Sequence, residues 1–359
     1  MAESLVTGFP SFLARRLCKR LIECGDRVQL LTRHRHRDSA VRFLNQCTGP
    51  GSGTTLVGDV LLMDLGLSGP EIRRLLREVE VIYHLAALPL RSRRADLAEA
   101  VNVDGTRAVL ELALGADRLT RFNFLSTAFV SGNRQGVVLE EELVGGQQFR
   151  NELERTKFEA EKRVRRVASD IPVSIYRPSL IVGDTTTGEF DPKDDPYHMM
   201  LGFLNIPLDV HVPLPGRGDY PLNLVPVDYV VAAIQHISRD PRGVGLTFHL
   251  TDPNPLPARR VLDLIADHAN RKRPRGKIPA SLARRILSFP GLGTMRPPPS
   301  VVDHFNQLVI YNATNTAELL AGTPVRCPAF ESYVGNLVRH LQEVRRRIRR
   351  EPGSEGLSF

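Results

Sequence analysis

Ser4-Leu5-Val6-Thr7-Gly8-Phe9-Pro10-Ser11-Phe12-Leu13-Ala14 decides how the rest of this chain is read. The apolar run up to Thr7 reads as a buried strand, Gly8 as a tight turn, and Phe12 to Glu23, closed by Gly25, as a helix. A strand–turn–helix that holds a dinucleotide wants small residues for three separate reasons. One glycine permits the turn, a second lets the backbone approach the pyrophosphate, and a third allows close helix–strand packing. Gly8 meets the first need and Ala14 the third. Ser11 departs at the second: its Cβ stands where the pyrophosphate would pass, and its hydroxyl offers a hydrogen bond in exchange. The start of the helix still aims N–H groups and a positive dipole end at an anion. Gly8, Phe9, Pro10, Ser11 and Phe12 are therefore the candidate phosphate loop.

Working outward, short apolar runs alternate with helix-length segments through the first 250 residues. Val28-Gln29-Leu30-Leu31, Thr55-Leu56-Val57, Val81-Ile82-Tyr83-His84-Leu85, Phe122-Asn123-Phe124-Leu125 and Val173-Ser174-Ile175-Tyr176 read as strands, with a helix over Val101 to Gly115. Their mixed or continuous apolar character suits strands buried on both faces, and the alternation predicts an α/β fold with a doubly wound parallel sheet. After about Gly183 prolines break the chain around the apolar stretch Met199-Met200-Leu201-Gly202-Phe203-Leu204. Helices are expected at Asp228 to Ser238 and Ala258 to Asn270, with a strand at Thr247 to Leu250 between them. The resulting expectation is a core over residues 1–270, a smaller C-terminal lobe over 271–350, and a disordered tail over 351–359. Phe289 to Ser300, rich in Pro and Gly, reads as a linker.

The ends of the other strands extend the candidate site. Arg33 follows the second strand, where an acidic residue would bind the ribose hydroxyls of NAD and an arginine suits a 2′-phosphate. NADP(H) is favoured over NAD(H) on that ground. Asp59 and Val60 follow the third strand and are placed to face the adenine, while Ala86 and Ala87 after the fourth leave room for the cofactor backbone.

Thr7-Gly8-Phe9-Pro10, Gly58-Asp59, His84-Leu85-Ala86-Ala87, Asn102-Val103-Asp104-Gly105-Thr106, Leu125-Ser126-Thr127-Ala128-Phe129-Val130-Ser131-Gly132 and Tyr176-Arg177-Pro178-Ser179 occur in the order of the extended short-chain dehydrogenases/reductases. Together with Asn223-Leu224-Val225-Pro226-Val227-Asp228-Tyr229, they make the chain resemble the branch with fatty acyl-CoA reductases and thioester reductase domains. The resemblance covers roughly residues 3 to 270. It implies a Rossmann-type core with a smaller substrate-binding lobe. It also implies a small-molecule carbonyl or acyl thioester substrate, and adds Arg177 and Pro178 to the cofactor site.

The same resemblance assigns Thr127 to hold the substrate carbonyl, Asn102 to anchor a proton-relay water, and Lys157 to bind the nicotinamide ribose. It also expects a tyrosine four residues before Lys157, where this chain has Leu153. Residues at i and i+4 share a helix face, so a lysine there would favour the phenolate. Losing a general acid typically costs a factor of about 10² to 10⁴. The site is therefore read as a reductase with weakened or rerouted proton transfer. The competing reading is a catalytically inactive relative kept as a nucleotide sensor or scaffold.

The remaining features exclude more than they select. The four cysteines lack CxxC spacing, which suggests neither zinc nor a disulfide framework and fits reduced thiols in a cytoplasmic setting. His84, His198 and His211 lack ligand spacing, so no metal is expected. There is no secretory pattern at Met1-Ala2-Glu3-Ser4 and no apolar run long enough for a transmembrane segment. The net charge of +8 permits an anionic partner, but no nucleic-acid module is recognisable. Val334, Leu337, Leu341, Val344 and Ile348 form one stripe on a terminal helix, with arginines over much of the rest. That helix is read as docked on the domain or, in the sharper reading, as a contact for a partner protein or an anionic membrane surface. Homo-oligomer formation is left open.

Overall fold

The computed structural model describes residues 2–88, 95–192, 195–206, 211–288 and 301–350. The linker at 289–300 and the tail at 351–359 lie outside the described residues. The chain divides into two compact units interleaved in sequence. The first comprises Met1–Ser179, Asp228–Thr251 and Tyr311–Arg326; the second comprises Leu180–Val227, Asp252–Ile310 and Cys327–Phe359. Residue 270, expected to close the core, falls inside the second unit. Hydrophobic periodicity marks elements but carries no signal for a chain that leaves one unit and returns to it.

The first unit is built on β1 (Glu3–Thr7), β2 (Arg27–Thr32), β3 (Ser52–Val57), β4 (Val81–His84), β5 (Arg121–Leu125), β6 (Gly136–Val138) and β7 (Val173–Pro178). All but β6 join the strand Thr247–Leu250 in one seven-stranded sheet. Its order is Thr247–Leu250, β7, β5, β4, β1, β2, β3. Every pairing within it is parallel. Strand order therefore reverses on either side of β1, which makes the β1–β4 boundary the crevice where α/β sheets take ligands. Every residue of β4 and of β7 is buried, including the polar His84, Ser174 and Arg177, as strands covered on both faces require.

Helices α1 (Phe12–Glu23), α2 (Arg37–Gln46), α3 (Gly69–Glu78), α4 (Ala95–Glu99), α5 (Gly105–Leu114) and α6 (Glu152–Arg166) accompany the sheet. α1 buries Phe12, Leu13, Ala14, Leu17, Cys18, Leu21 and Ile22, the face set by its 3.6-residue period. α6 starts at Asn151, whose side chain accepts the Glu154 N–H at 2.9 Å, and ends among Arg163, Arg165 and Arg166, which suit the negative dipole end. The single helix expected over Val101 to Gly115 is instead α4, a π-helical stretch at Ala100–Asp104, and α5. Such wide turns recur at functional sites. This one holds Asn102, which is 1% exposed.

A buried carboxylate closes the first unit. Glu140 accepts backbone N–H groups from His249 at 2.8 Å and Asn315 at 2.7 Å, and the Thr316 hydroxyl at 2.9 Å. It thereby ties the returning segment around the helix Thr314–Leu320 to the last strand.

The second unit packs the helices Asp195–Asn205, Ala258–His268 and Phe330–Arg350 around one apolar core. Met199, Met200, Leu201, Phe203 and Leu204 all belong to it, so the apolar stretch between prolines is core. The stripe on the last helix is spent the same way: Val334, Leu337 and Leu341 are fully buried, with Val344 packed against them. No helix among the described residues is long and apolar enough to cross a membrane.

Leu337→Ala is expected to lower unfolding free energy by about 2–5 kcal/mol, through lost burial plus the cavity left behind. Arg346→Ala, on the exposed side of the same helix, is expected to change it by no more than about 0.5 kcal/mol. Urea denaturation of both variants beside the native chain checks the contrast.

Candidate active site

Because the sheet is parallel, the residues that follow its strands collect along one edge. Gly8 follows β1, Arg33 follows β2, Asp59 follows β3, Ala86 and Ala87 follow β4, Thr127 follows β5, and Pro178 ends β7. Gly8 has φ +101°, a region L side chains rarely adopt. A Cβ there would stand 2.8 Å from the Leu85 carbonyl carbon and 2.9 Å from the Ala86 nitrogen. The two loops flanking the crevice thus approach to a distance only glycine allows.

Ser11 gains a structural role that uses its oxygen as acceptor and leaves its O–H as the donor the sequence offers. Its hydroxyl accepts the Ala14 N–H at 3.3 Å and caps α1, so the lone pair satisfies the helix's own first turn. Phe9 and Phe12 point inward, 6% and 4% exposed, and the Phe9 ring lies 5.8 Å from that of Phe43. Their side chains anchor the loop, while Pro10 and Ser11 between them are half-buried. Val60 is likewise packed: a Cβ on Gly105 would come within 2.8 Å of its Cγ2. Arg33 is half-buried; burial, then the Arg35 charge, lower its pKa, with Asp59 opposing them.

His84, at the end of β4, holds this edge together. Thr106 donates its hydroxyl to the Asn102 carbonyl at 2.6 Å, so the Thr106 oxygen accepts from His84 Nε2 at 2.9 Å. His84 Nδ1 then accepts the Thr7 hydroxyl at 2.9 Å, and the Thr7 oxygen accepts the N–H groups of Leu85 at 3.2 Å and Ala86 at 3.1 Å. One tautomer satisfies every group. The ring stacks on Phe124 and is fully buried; burial, then the nearby Lys157 charge, push its pKa down to about 3.

Asn102 is committed at both ends of its amide. Oδ1 accepts the Leu88 N–H at 2.7 Å and Nδ2 donates to the Thr156 hydroxyl at 2.8 Å. Lys157 is buried and donates to the Leu125 carbonyl at 2.6 Å, with its ammonium 5.1 Å from the Phe124 ring centre. Burial pushes its pKa down to about 8, against the opposing pull of Glu161. Thr127 caps a short helical turn through the Phe129 N–H at 3.3 Å, and its hydroxyl reaches the Pro178 carbonyl only at 3.5 Å. Leu153 lies half-buried one turn before Lys157 on α6.

Arg177 does not join this edge through its guanidinium. It pairs with Glu161 through two N–H groups at 2.6 and 3.1 Å and reaches the carbonyls of Glu142 at 2.8 Å and Glu140 at 3.3 Å. Its last donor meets His249 Nε2 at 3.3 Å. All five donors are used inside the unit. The hydroxyls of Tyr83, Tyr176 and Tyr311 meet Ser238, Asn123 and Ser131 rather than Lys157, and burial pushes all three pKa values up.

The sequence profile of the Male sterility protein family, an NAD-binding family, matches residues 6–234, which hold every residue of this edge. The chain belongs to that family. Among male sterility family relatives, the nonribosomal peptide synthetase asaC of Aspergillus flavus is 27% identical over 271 residues, 70% of this chain but 26% of that protein. The fatty acyl-CoA reductase wat of Drosophila melanogaster is 26% identical over 211 residues, 50% of this chain and 40% of that one. The chain thus spans well under two thirds of these relatives. The terminal R domain of the myxalamid PKS-NRPS pathway superposes with TM-score 0.81 at 25% identity, covering 96% of this chain and 91% of that domain. The reductase domain of a nonribosomal peptide synthetase from Mycobacterium tuberculosis shares the fold with TM-score 0.73 at 20% identity, covering 96% and 92%. Both the extended short-chain reductase resemblance and the Rossmann-like parallel sheet are borne out.

Two residues that hold this edge, Glu161 and His84, stand outside the sequence-derived candidates, though each carries a signal. Glu161 stands four residues after Lys157, the spacing of a helix-face ion pair, and His84 opens the string that also holds Ala86 and Ala87.

The His84 network sets a pH dependence. His84 is neutral in the fold, with a pKa far below the value of about 6.5 expected when unfolded. The unfolded chain takes up that proton first, so this stability is complete above about pH 6.5 and is lost as pH falls toward the folded value. From pH 6.5 to 5 the loss is expected to reach roughly 2 kcal/mol for His84. His249, pushed down to about 4, contributes in the same direction. Urea midpoints across this range measure the slope, and His84→Gln is expected to make it shallower.

Proposed function

We propose that this male sterility family domain binds NADP(H) and reduces the carbonyl of an acyl thioester or aldehyde, with proton delivery slowed because Leu153 replaces the expected acid. The observation that carries this reading is the single edge on which Gly8, Arg33, Asp59, Thr127 and Lys157 collect beside the strand-order reversal. The residues present fit the dinucleotide. Gly8 leaves no side chain where its loop meets Ala86, the N-terminus of α1 favours a pyrophosphate, and half-buried Arg33 suits a 2′-phosphate. Bound there, the cofactor would supply a hydride. Lys157 and Thr127 would orient the ribose and the substrate carbonyl.

The substrate class comes from relatives named as a fatty acyl-CoA reductase, an aldehyde reductase and a nonribosomal peptide synthetase. A second reading, a nucleotide-binding scaffold without turnover, draws on Leu153 and Ser11 as two relaxed positions in one site. In it the partner or anionic membrane surface would meet the arginine side of the last helix, whose apolar stripe is already buried in the second unit.

Fluorescence titration is expected to show NADPH binding by the native chain, with Arg33→Ala weakening NADPH more than NADH. Slow NADPH oxidation is expected with an acyl-CoA or aldehyde, and Leu153→Tyr is expected to raise kcat by about 10²-fold or more. Binding without turnover in either form, across a thioester and aldehyde panel, would leave the scaffold reading standing alone.

A further inference from the structure

A carbonyl that accepts a hydride must also gain a proton on oxygen, and the first unit offers few groups to give it. Thr127 is a hydroxyl of very high pKa whose best acceptor is a carbonyl at 3.5 Å. The Asn102 amide is held at both ends, His84 is neutral with both ring nitrogens engaged, and Leu153 has no proton to give. Lys157 remains. Among the described residues its ammonium makes one hydrogen bond, to Leu125, two residues before Thr127, and an ammonium has three donors.

One turn further along α6, Glu161 shares the helix face of Lys157. Glu161 is fully buried and fixed from three sides: the Arg177 fork, Arg165 at 3.0 Å, and the Ser126 hydroxyl at 2.6 Å. Its pKa lies below the usual carboxylate range; burial acts to raise it, but the Arg177 charge and hydrogen bonds, with Arg165 and Ser126, prevail. It therefore stays anionic where Lys157 most needs a counter-charge.

Resting on the reductase reading above, we infer that Lys157 is the proton donor of this site in place of the missing tyrosine. Glu161, locked by Arg177, is the positioning residue that keeps Lys157 charged. With the cofactor bound, the reduced nicotinamide would supply the hydride to the carbonyl carbon. The Lys157 N–H bond breaks as an O–H bond forms on the substrate oxygen, and the neutral amine regains its proton from solvent. The groups that bear on Lys157 are Glu161 on its own helix and His84 on β4, the latter uncharged across the working range. A lysine with a pKa near 8 is matched to this task, since an acid works best near the operating pH.

Two readouts test this, one independent of turnover. In protein labelled at lysine 13Cε, the resonance assigned through Lys157→Arg is expected to titrate near pH 8. Glu161→Gln is expected to move that midpoint down by about one unit and Glu161→Asp to restore most of it. The alkaline limb of the kcat profile is expected to follow the same midpoints. Lys157→Arg keeps the cation but not a transferable proton, so kcat is expected to fall by about 10²-fold or more while NADPH still binds. Glu161→Asp serves alone if Glu161→Gln, which strands Arg177, does not fold. A Lys157→Arg enzyme within about threefold of native kcat overturns the inference. So does a kcat flat across pH 7 to 9 while Lys157 titrates. Native protein that binds no NADPH overturns the reductase reading itself, and the inference with it.

Discussion

A carboxylate taken wholly out of water survives as an anion only if cations and donors surround it, and Glu161 is such a group. Arg177 meets it with two parallel N–H groups and sends its remaining donors to the loop carbonyls of Glu140 and Glu142 and to His249. One ion pair therefore fixes α6 to β7, and β7 to the loop that precedes α6. Removing one partner of such a pair typically costs about 3–5 kcal/mol, because the other charge stays buried. The Ser126–Glu161 bond passes the same rigidity to the end of β5, where Thr127 begins. The positions of Thr127 and Lys157 are thus tied to a salt bridge buried inside the first unit.

Much of this architecture was legible from the chain. The sheet strands were visible because each carries a short apolar segment such as Leu56-Val57 in β3, and the α1 boundaries because Ser11 and Gly25 punctuate it. The order of motifs identified the family because most of them mark the ends of different strands, with the Asn102 to Thr106 string on the helix that follows β4. What escaped was the use to which a residue's polar atoms are put. Ser11, Asn102 and Arg177 are the residue types a cofactor site wants, yet each spends hydrogen bonds on the protein itself. Sequence spacing locates a side chain on an edge and cannot count its donors.

The interleaving of the units was hidden for a related reason. The Met199–Leu204 stretch and the stripe on the last helix both read correctly as apolar faces, but their common partner was not visible. Each is the complement of the other across more than a hundred residues of intervening chain. The π-helical turn at Ala100–Asp104 was hidden because a widened turn of 5 residues is too short to be read from apolar periodicity. It nevertheless decides where the Asn102 amide points.

The clamp at Glu140 has a consequence for the order of assembly. Its acceptors wait for Asn315 and Thr316, which follow it in sequence by 175 and 176 positions. During synthesis from the N-terminus, the sheet-forming stretch emerges long before the segment that caps it. A carboxylate whose donors are absent cannot be sealed from water cheaply. The first unit is therefore left ajar at that corner until much of the second has also emerged. Long-range closure of this kind slows folding, so the interleaved path couples the maturation of two units that a linear arrangement would have let fold in turn.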